Sequence, residues 1–155
     1  MRKRVICVRT CLVREASVLY ESENGKRSIT SPEEAAKFAA SFFEGSDKEM
    51  IYVCTLNGNN EPVTMEMVAK GSVNWCKADI SQIYKTAIIS SAASIICFHN
   101  HPSGCIEPSG VDKLITEKME TAGRYLDIPL RDHIIIGGDG AFYSFNENET
   151  EYSYE

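Results

Sequence analysis

An apolar strand pattern that ends in two histidines is the feature that most constrains how this chain folds. Residues 94–98 (S-I-I-C-F) have the character of a buried strand, and H-N-H-P-S-G-C-I-E-P-S-G-V-D follows at once. Pro102, Gly104 and Pro108 bend the chain after the strand, and a helical pattern begins at Ser109. The order strand, bent loop and helix predicts a cluster of polar side chains at one end of a sheet.

The remaining pattern predicts strands and helices around one sheet. Strands are predicted at 5–13, 16–21, 49–57, 61–69 and 94–98, with a further pair around the D-G turn within 131–145. Helices are predicted at 31–43, 79–91 and 109–127. We expect an α/β fold, a single mixed and curved sheet of about six to seven strands flanked by helices. One domain is expected at 1–147, followed by an acidic tail at 148–155.

The helix predictions include specific ends and faces. Ser31 is expected to cap the first helix, with Pro32 at its first position and Glu34 completing a capping box. Helical spacing places apolar residues of each of the two later helices on one face. These faces are Ile80, Ile83, Tyr84, Ala87 and Ile88, and then Leu114, Ile115, Met119, Ala122 and Leu126.

Composition and charge narrow the class of partner. With 43% hydrophobic and 25% charged residues, the chain resembles an ordinary globular protein. A formal net charge of -6 does not favour general electrostatic binding of nucleic acid. A local basic strip is the one feature that could bind it. That strip is Arg2, Lys3, Arg4, Arg9 and Arg14.

The sequence also bears on the cellular compartment. No apolar run reaches the roughly 18 residues that suggest a membrane span, and arginines interrupt the N-terminal segment before a signal peptide could form. We therefore expect a cytoplasmic protein whose six cysteines are reduced. Cys105 differs from the others because it lies in the loop beside the histidines, where it is either a small loop residue or a reactive thiol.

The histidine segment has the pattern of a metal site. His99 and His101 are two residues apart on a strand, so both imidazoles point to the same side. Asp112 falls in the first turn of the next helix and is placed to supply a third ligand. Two imidazoles and one carboxylate are typical ligands of zinc (Zn2+), and they leave a fourth position for water. The pattern predicts an open zinc site that activates water near neutral pH.

Each of these residues alone has a simpler interpretation. A histidine at a strand end is commonly a hydrogen-bonded structural residue. The sequence S-x-x-D before a helix is close to a capping box, so Asp112 would then stabilise the helix N-terminus. His133, at the start of an apolar strand, is interpreted as a core or edge histidine and not as a ligand.

Two segments resemble a known family. H-N-H-P-S-G followed by P-S-G-V-D resembles the JAB/MPN metalloenzyme signature, which is H-x-H, seven residues, S, two residues, D, in the form carried by RadC-like proteins. The segment G-R-Y-L-D-I-P-L-R-D-H-I-I-I-G (123–137) is similar to the one that follows the signature in those proteins. The resemblance covers residues 31–147 and implies the JAB/MPN architecture, which is similar to that of cytidine deaminase.

The resemblance also implies a role for each site residue. It implies that His99, His101 and Asp112 hold zinc, and that Ser109 hydrogen-bonds the oxyanion that forms when water attacks a carbonyl. The family has an upstream glutamate that acts as general base, and Glu49 fits this position best. The other carboxylates considered for this position are Glu44, Glu61 and Glu66.

The chain also departs from the RadC-like pattern. Cys105, Ile106 and Glu107 replace the usual D-P-T, which changes the charge and surface of the loop. Ser81 and Gln82 stand where an Arg-Glu pair is common. The helix-hairpin-helix segment of full-length RadC proteins is not found in these residues.

Two functions are carried forward. The first is a zinc-dependent hydrolase of the JAMM type, a metallopeptidase or isopeptidase that acts on a protein or peptide. The second is a RadC-type accessory protein associated with DNA repair, in which the metal is structural. An HNH nuclease is excluded because such enzymes distribute those residues over a ββα motif, and an inactive interaction module is disfavoured because all the expected ligands are present.

Overall fold

A computed structural model describes residues 9–17, 27–71 and 78–148 of the 155-residue chain. The described part has an α/β architecture, as expected. Its elements are α1 (Pro32–Phe43), β1 (Met50–Leu56), β2 (Pro62–Lys70), α2 (Ile80–Ile89), β3 (Ser94–Asn100), α3 (Gly110–Leu126), β4 (Leu130–Ile136), β5 (Phe142–Ser144) and α4 (Phe145–Asn148).

The five described strands form one mixed sheet in the order β2-β1-β3-β4-β5. The predicted hairpin is confirmed, since β1 and β2 pair antiparallel across the N-G-N-N turn. β3 pairs antiparallel with β1 and parallel with β4. A parallel pair needs a crossover connection, which α3 supplies. Every residue of the central strand β3 is buried.

The sheet carries an apolar cluster on each face. One cluster joins α1 to Met50, Cys54, Ile96 and Phe98, and the other joins α2 and α3 to Ile51, Val53, Ile95 and Cys97. The two clusters draw on alternate residues of the same strands because successive side chains of a strand point to opposite faces.

The predicted N-terminus of α1 is confirmed with one difference. The Ser31 hydroxyl accepts a hydrogen bond from the backbone N–H of Glu34, and Pro32 is the first helical residue. The Glu34 carboxylate accepts from the backbone N–H and the hydroxyl of Thr30, one residue before the cap. The glutamate thus also secures the chain that leads into the helix.

The predicted N-terminal strands are not found where the structure describes the chain. Residues 9–17 contain no strand and are exposed throughout, while 5–8 and 18–21 lie outside the described residues. A strand needs a neighbour for its backbone N–H and C=O groups, and no described strand pairs with 9–17. The described sheet has five strands instead of six to seven. Arg9 and Arg14 of the basic strip are exposed.

The predicted helix faces are only partly buried. Ile83, Tyr84 and Ala87 of α2 and Met119 of α3 are buried, whereas Ile88, Leu114 and Leu126 are exposed by 53%, 50% and 40%. α3 also buries Asp112, Thr116 and Gly123. Periodicity selects apolar side chains, whereas this helix turns two polar side chains inward, where each has a buried partner.

The predicted acidic tail, 148–155, overlaps the described structure at Asn148 alone. Residues 145–148 form α4, and the backbone N–H of Glu147 donates to the Ser144 hydroxyl at its start. The rest of the tail, 149–155, lies outside the described residues. In the part of the chain that the structure describes, no helix has both the length and the hydropathy to cross a bilayer.

Gly123 lets α3 pack closely against α2 and the connection to β4. A Cβ atom at this position would lie 2.8 Å from the carbonyl oxygen of Ile128 and 2.8 Å from the Tyr84 hydroxyl. That hydroxyl is itself fixed because it donates to the Met119 carbonyl. A side chain here would push α3 away from Tyr84 and from the connection to β4.

We expect Gly123→Ala to lower the free energy of unfolding by about 2 kcal/mol, although alanine is intrinsically favoured in helices by about 1 kcal/mol. Gly110→Ala in the same helix is the matched control, because a Cβ there meets nothing within 4 Å. Urea denaturation would measure both variants. Equal changes in the two would contradict the close-packing explanation.

Candidate metal centre

The three predicted ligands meet at the carboxyl end of β3. His99 lies in the strand and His101 directly follows it, while Asp112 lies in the first turn of α3. The two histidine side chains share the sheet face that α2 and α3 cover, since they are two residues apart. His99 and Asp112 are buried, and His101 is partly exposed.

The ligating atoms are close together. The Nε2 atoms of His99 and His101 are 3.0 Å apart. The Asp112 carboxylate lies 3.2 Å from His99 Nε2 through Oδ1 and 3.5 Å from His101 Nε2 through Oδ2. All three groups fall within 4.8 Å of one another. The structure therefore brings the sequence-predicted residues to one point.

Charge at this point is concentrated on Asp112. Burial alone would raise the pKa of the Asp112 carboxyl, but the imidazoles of His101 and His99 beside it hold that pKa well below its usual range. In return, the neighbouring Asp112 carboxylate raises the pKa of His101, because a protonated ring can donate to it. Asp112 is thus an ionised carboxylate that attracts either a proton or a cation to the two imidazoles.

The donor set fits a divalent cation. The His101 Nδ1 atom is 2.7 Å from the Cys105 carbonyl, which can only accept, so Nδ1 carries the proton of the neutral ring and Nε2 presents a lone pair. The lone pairs on the two Nε2 atoms and the carboxylate oxygens repel one another at 3.0 to 3.5 Å unless positive charge lies between them. Nitrogen and oxygen donors of this kind suit zinc.

The helix cap orients the carboxylate. The backbone N–H of Ser109 donates to Asp112 Oδ2 at 2.7 Å, and the Ser109 hydroxyl accepts from the backbone N–H of Asp112 at 3.2 Å. The alternative interpretation of Asp112 as a capping residue is therefore confirmed. It does not compete with the metal interpretation, because the same carboxylate also faces both imidazoles.

The loop after β3 is tied to the chain that leaves β4. The backbone N–H of His101 donates to the Ile136 carbonyl, and that of Gly138 donates to the Gly104 carbonyl. Gly104 has a φ of +79°, which suits the tight bend. The Cys105 thiol is exposed and lies outside the group of ligating atoms, so the described contribution of Cys105 to the site is its carbonyl.

Asn100 fixes the backbone around Glu49. The Asn100 side chain is buried, accepts from the backbone N–H of Met50 at 2.8 Å and donates to the Lys48 carbonyl at 3.1 Å. The β1–β3 register sets Ile51 opposite His99, so Glu49, two residues before Ile51, belongs to the same face as His99.

Glu49 lies within electrostatic reach of the cluster. Burial raises the pKa of its carboxyl, His99 and His101 lower it, and Asp112 raises it further, with a net rise. The rival carboxylates are elsewhere: Glu61 pairs with Asn57 in the turn, Glu66 hydrogen-bonds Thr86, and Glu44 is exposed at the end of α1.

His133 is buried in β4, as its interpretation as a core histidine predicted, but it contacts a ligand. Its Nε2 atom lies 2.8 Å from His99 Nδ1, and its Nδ1 atom lies 2.7 Å from the Thr116 hydroxyl. The ring stacks on Phe145 with 4.8 Å between centroids. Burial lowers the pKa of His133 well below its usual value. Sequence reasoning missed this contact, for which the only signal was a histidine inside an apolar strand.

Comparison with known families agrees with this geometry. The family model of the RadC-like JAB domain matches residues 29–150. The chain belongs to the RadC-like JAB domain family. The resemblance predicted from the H-x-H, Ser and Asp spacing is thereby confirmed, and the five-stranded mixed sheet is consistent with the JAB/MPN fold.

Curated relatives of this RadC-like JAB domain are described only as UPF0758 proteins. One from Pelodictyon phaeoclathratiforme is 36% identical over 130 residues, covering 84% of this chain and 58% of the relative. One from Shouchella clausii is 40% identical over 119 residues, covering 77% and 51%. A third, from Porphyromonas gingivalis, is 36% identical over 120 residues, covering 77% and 53%. The chain spans about half the length of these relatives.

We expect Asn100→Asp to destabilise the domain, because the new carboxylate would face the Lys48 carbonyl in place of a donor. The free energy of unfolding should fall by about 2 kcal/mol in urea denaturation at neutral pH. Asn59→Asp, the same change at an exposed turn residue, should shift it by less than about 0.5 kcal/mol. Similar midpoints for the two variants would show that the Asn100 contacts contribute little.

Proposed function

We propose that this RadC-like JAB domain is a zinc-dependent hydrolase of the JAMM type that cleaves an amide or isopeptide bond in a protein or peptide. The observation that carries the proposal is the convergence of His99, His101 and Asp112 on one point, with Glu49 beside them. A purely structural site would need no titratable carboxylate next to its three ligands. Structural zinc sites also have four protein ligands as a rule, whereas this cluster has three.

Each ligand residue would contribute a defined donor atom. His99 and His101 would bind the ion through Nε2, and Asp112 through its carboxylate. When bound, zinc supplies Lewis acidity, which lowers the pKa of water to about 7 and polarises a carbonyl group. A single carboxylate neutralises only part of the dication, so the site keeps a net positive charge that favours an attacking hydroxide.

Glu49 is proposed to move the proton. Its partly buried carboxyl has a raised pKa, which brings it closer to the range in which a general base also serves as a general acid. It would accept a proton from the attacking water and deliver it to the nitrogen of the leaving amine. The Asn100 hydrogen bonds to Lys48 and Met50 would keep this carboxyl near the reacting atoms.

Ser109 is proposed to stabilise the oxyanion. Its hydroxyl oxygen accepts from the backbone N–H of Asp112, and its proton has no acceptor among the residues that the structure describes. The residue is exposed and adjoins the ligand cluster, so the hydroxyl proton is free to donate to a substrate oxygen. A donor held in place by a helix cap needs little reorganisation during the reaction.

The alternative, a DNA-associated accessory protein with a structural metal, finds less support in this chain. The net charge is -6, and only Arg9 and Arg14 of the basic strip lie in the described residues, at exposed positions outside the helices and strands. An association of this kind would rest on the basic strip, whose other members Arg2, Lys3 and Arg4 lie outside the described residues.

Glu49→Gln tests the proposed function. With zinc loaded, the variant should retain its metal but lose at least about 100-fold in kcat/KM, because the amide cannot accept a proton. The measurement is hydrolysis of a panel of fluorogenic peptide and isopeptide-linked substrates, with zinc content determined on the same samples.

Glu44→Gln is the matched control, since it removes the exposed rival carboxylate by the same chemical change. It should keep native activity. Undiminished hydrolysis by Glu49→Gln would refute the role of Glu49. A zinc-loaded native protein that hydrolyses nothing in the panel would argue against the hydrolase and favour the structural-metal alternative.

A further inference from the structure

The metal-binding nitrogen of His99 depends on which ring nitrogen carries the proton. A neutral imidazole binds a metal through Nε2 only when its proton is on Nδ1, whereas the tautomer that free histidine prefers in water has its proton on Nε2. We propose that Thr116 and His133 are positioning residues that hold His99 in the Nδ1–H tautomer and so keep its Nε2 lone pair available. The proposal rests on the proposed metal site and adds two residues to it.

Thr116 determines which atom donates in each hydrogen bond of this chain. Its hydroxyl lies 2.7 Å from the backbone carbonyl oxygen of Asp112, which can only accept, so the single hydroxyl proton is donated there. The same hydroxyl oxygen is 2.7 Å from His133 Nδ1. Since its proton is already used, the oxygen must accept in this second bond, and His133 Nδ1 must carry a proton.

The proton position on His133 determines the proton position on His99. The ring is buried and its two nitrogens contact a hydroxyl and another imidazole, so no carboxylate is hydrogen-bonded to it to offset a positive charge. A neutral ring with its proton on Nδ1 presents a lone pair on Nε2. That lone pair accepts from His99 Nδ1 at 2.8 Å, which places the His99 proton on Nδ1 and leaves Nε2 free toward Asp112.

The chain of hydrogen bonds begins and ends beside one residue. It runs from the Asp112 carbonyl through Thr116 and His133 to His99, whose unprotonated Nε2 atom then lies 3.2 Å from the Asp112 carboxylate. The stacking of His133 on Phe145 fixes its ring plane, with an interplanar angle of 8°. One turn of α3 therefore provides both a ligand and the group that sets the proton position on another ligand.

The test compares two substitutions of one hydroxyl. Thr116→Val keeps the size and branching of the side chain but removes the acceptor for His133 Nδ1–H. His133 should then carry its proton on Nε2, where this N–H would face the Nδ1–H of His99 and repel it. Thr116→Ser keeps the hydroxyl. By competition with a chromophoric chelator, the Kd for zinc should rise by about 10- to 100-fold in Thr116→Val and by less than about 3-fold in Thr116→Ser.

Nitrogen-15 NMR of the imidazoles supplies a readout that a merely structural role would not move. The chain has three histidines, so the ring signals can be assigned by single substitutions. His133 should carry its proton on Nδ1 in the native protein and in Thr116→Ser, and on Nε2 in Thr116→Val.

Each outcome decides the proposal. An unchanged zinc Kd in a folded Thr116→Val variant would overturn it, as would a native His133 that carries its proton on Nε2. If Thr116→Val does not fold, the native tautomer and the Thr116→Ser affinity remain decisive. If the native protein binds no zinc, the proposed function fails by itself, and the tautomer of His133 in the metal-free protein still tests the hydrogen-bond chain.

Discussion

The arrangement on which this domain depends is the close approach of two imidazole nitrogens and a carboxylate, held together by hydrogen bonds to their other atoms. His99 Nε2 and His101 Nε2 are 3.0 Å apart, and neither ring is free to turn away. The Nδ1 atom of His101 is bound to the Cys105 carbonyl and that of His99 to His133. The fold therefore holds the two Nε2 lone pairs and the Asp112 carboxylate so close that they repel one another, and a bound cation would remove this repulsion.

The architecture around the site explains how the three groups meet. β3 is buried along its whole length, so His99, the first predicted ligand, is buried at its end. The parallel pairing of β3 with β4 requires a crossover, and the crossover helix α3 begins beside the end of β3. That helix turns Asp112 and Thr116 inward at the expense of apolar residues, which leaves Leu114 and Leu126 exposed.

The sequence predicted the features that depend on neighbouring residues. The β1–β2 hairpin, the Ser31 cap and the convergence of His99, His101 and Asp112 are all encoded within short segments. The helix faces were predicted less well, because periodicity cannot anticipate that Thr116 is buried against a histidine on another strand.

The supporting residues of the site could not be predicted in this way. Asn100 holds Lys48 and Met50 through the antiparallel pairing of β1 with β3, and His133 reaches His99 through the parallel pairing of β3 with β4. Both contacts join residues far apart in the chain, and they depend on a strand register that no local pattern determines. The residues 9–17 illustrate the converse, since an apolar pattern without a described neighbour forms no strand.

The most direct test of this account is the metal content of the purified protein. Elemental mass spectrometry would be applied, after removal of excess zinc, to the native chain, to His101→Ala and to Cys105→Ser as a control for the exposed thiol of the same loop. The account predicts about one zinc per chain in the native protein and in Cys105→Ser, and loss of the metal in His101→Ala. No zinc in the native protein, or equal zinc in His101→Ala, would contradict it.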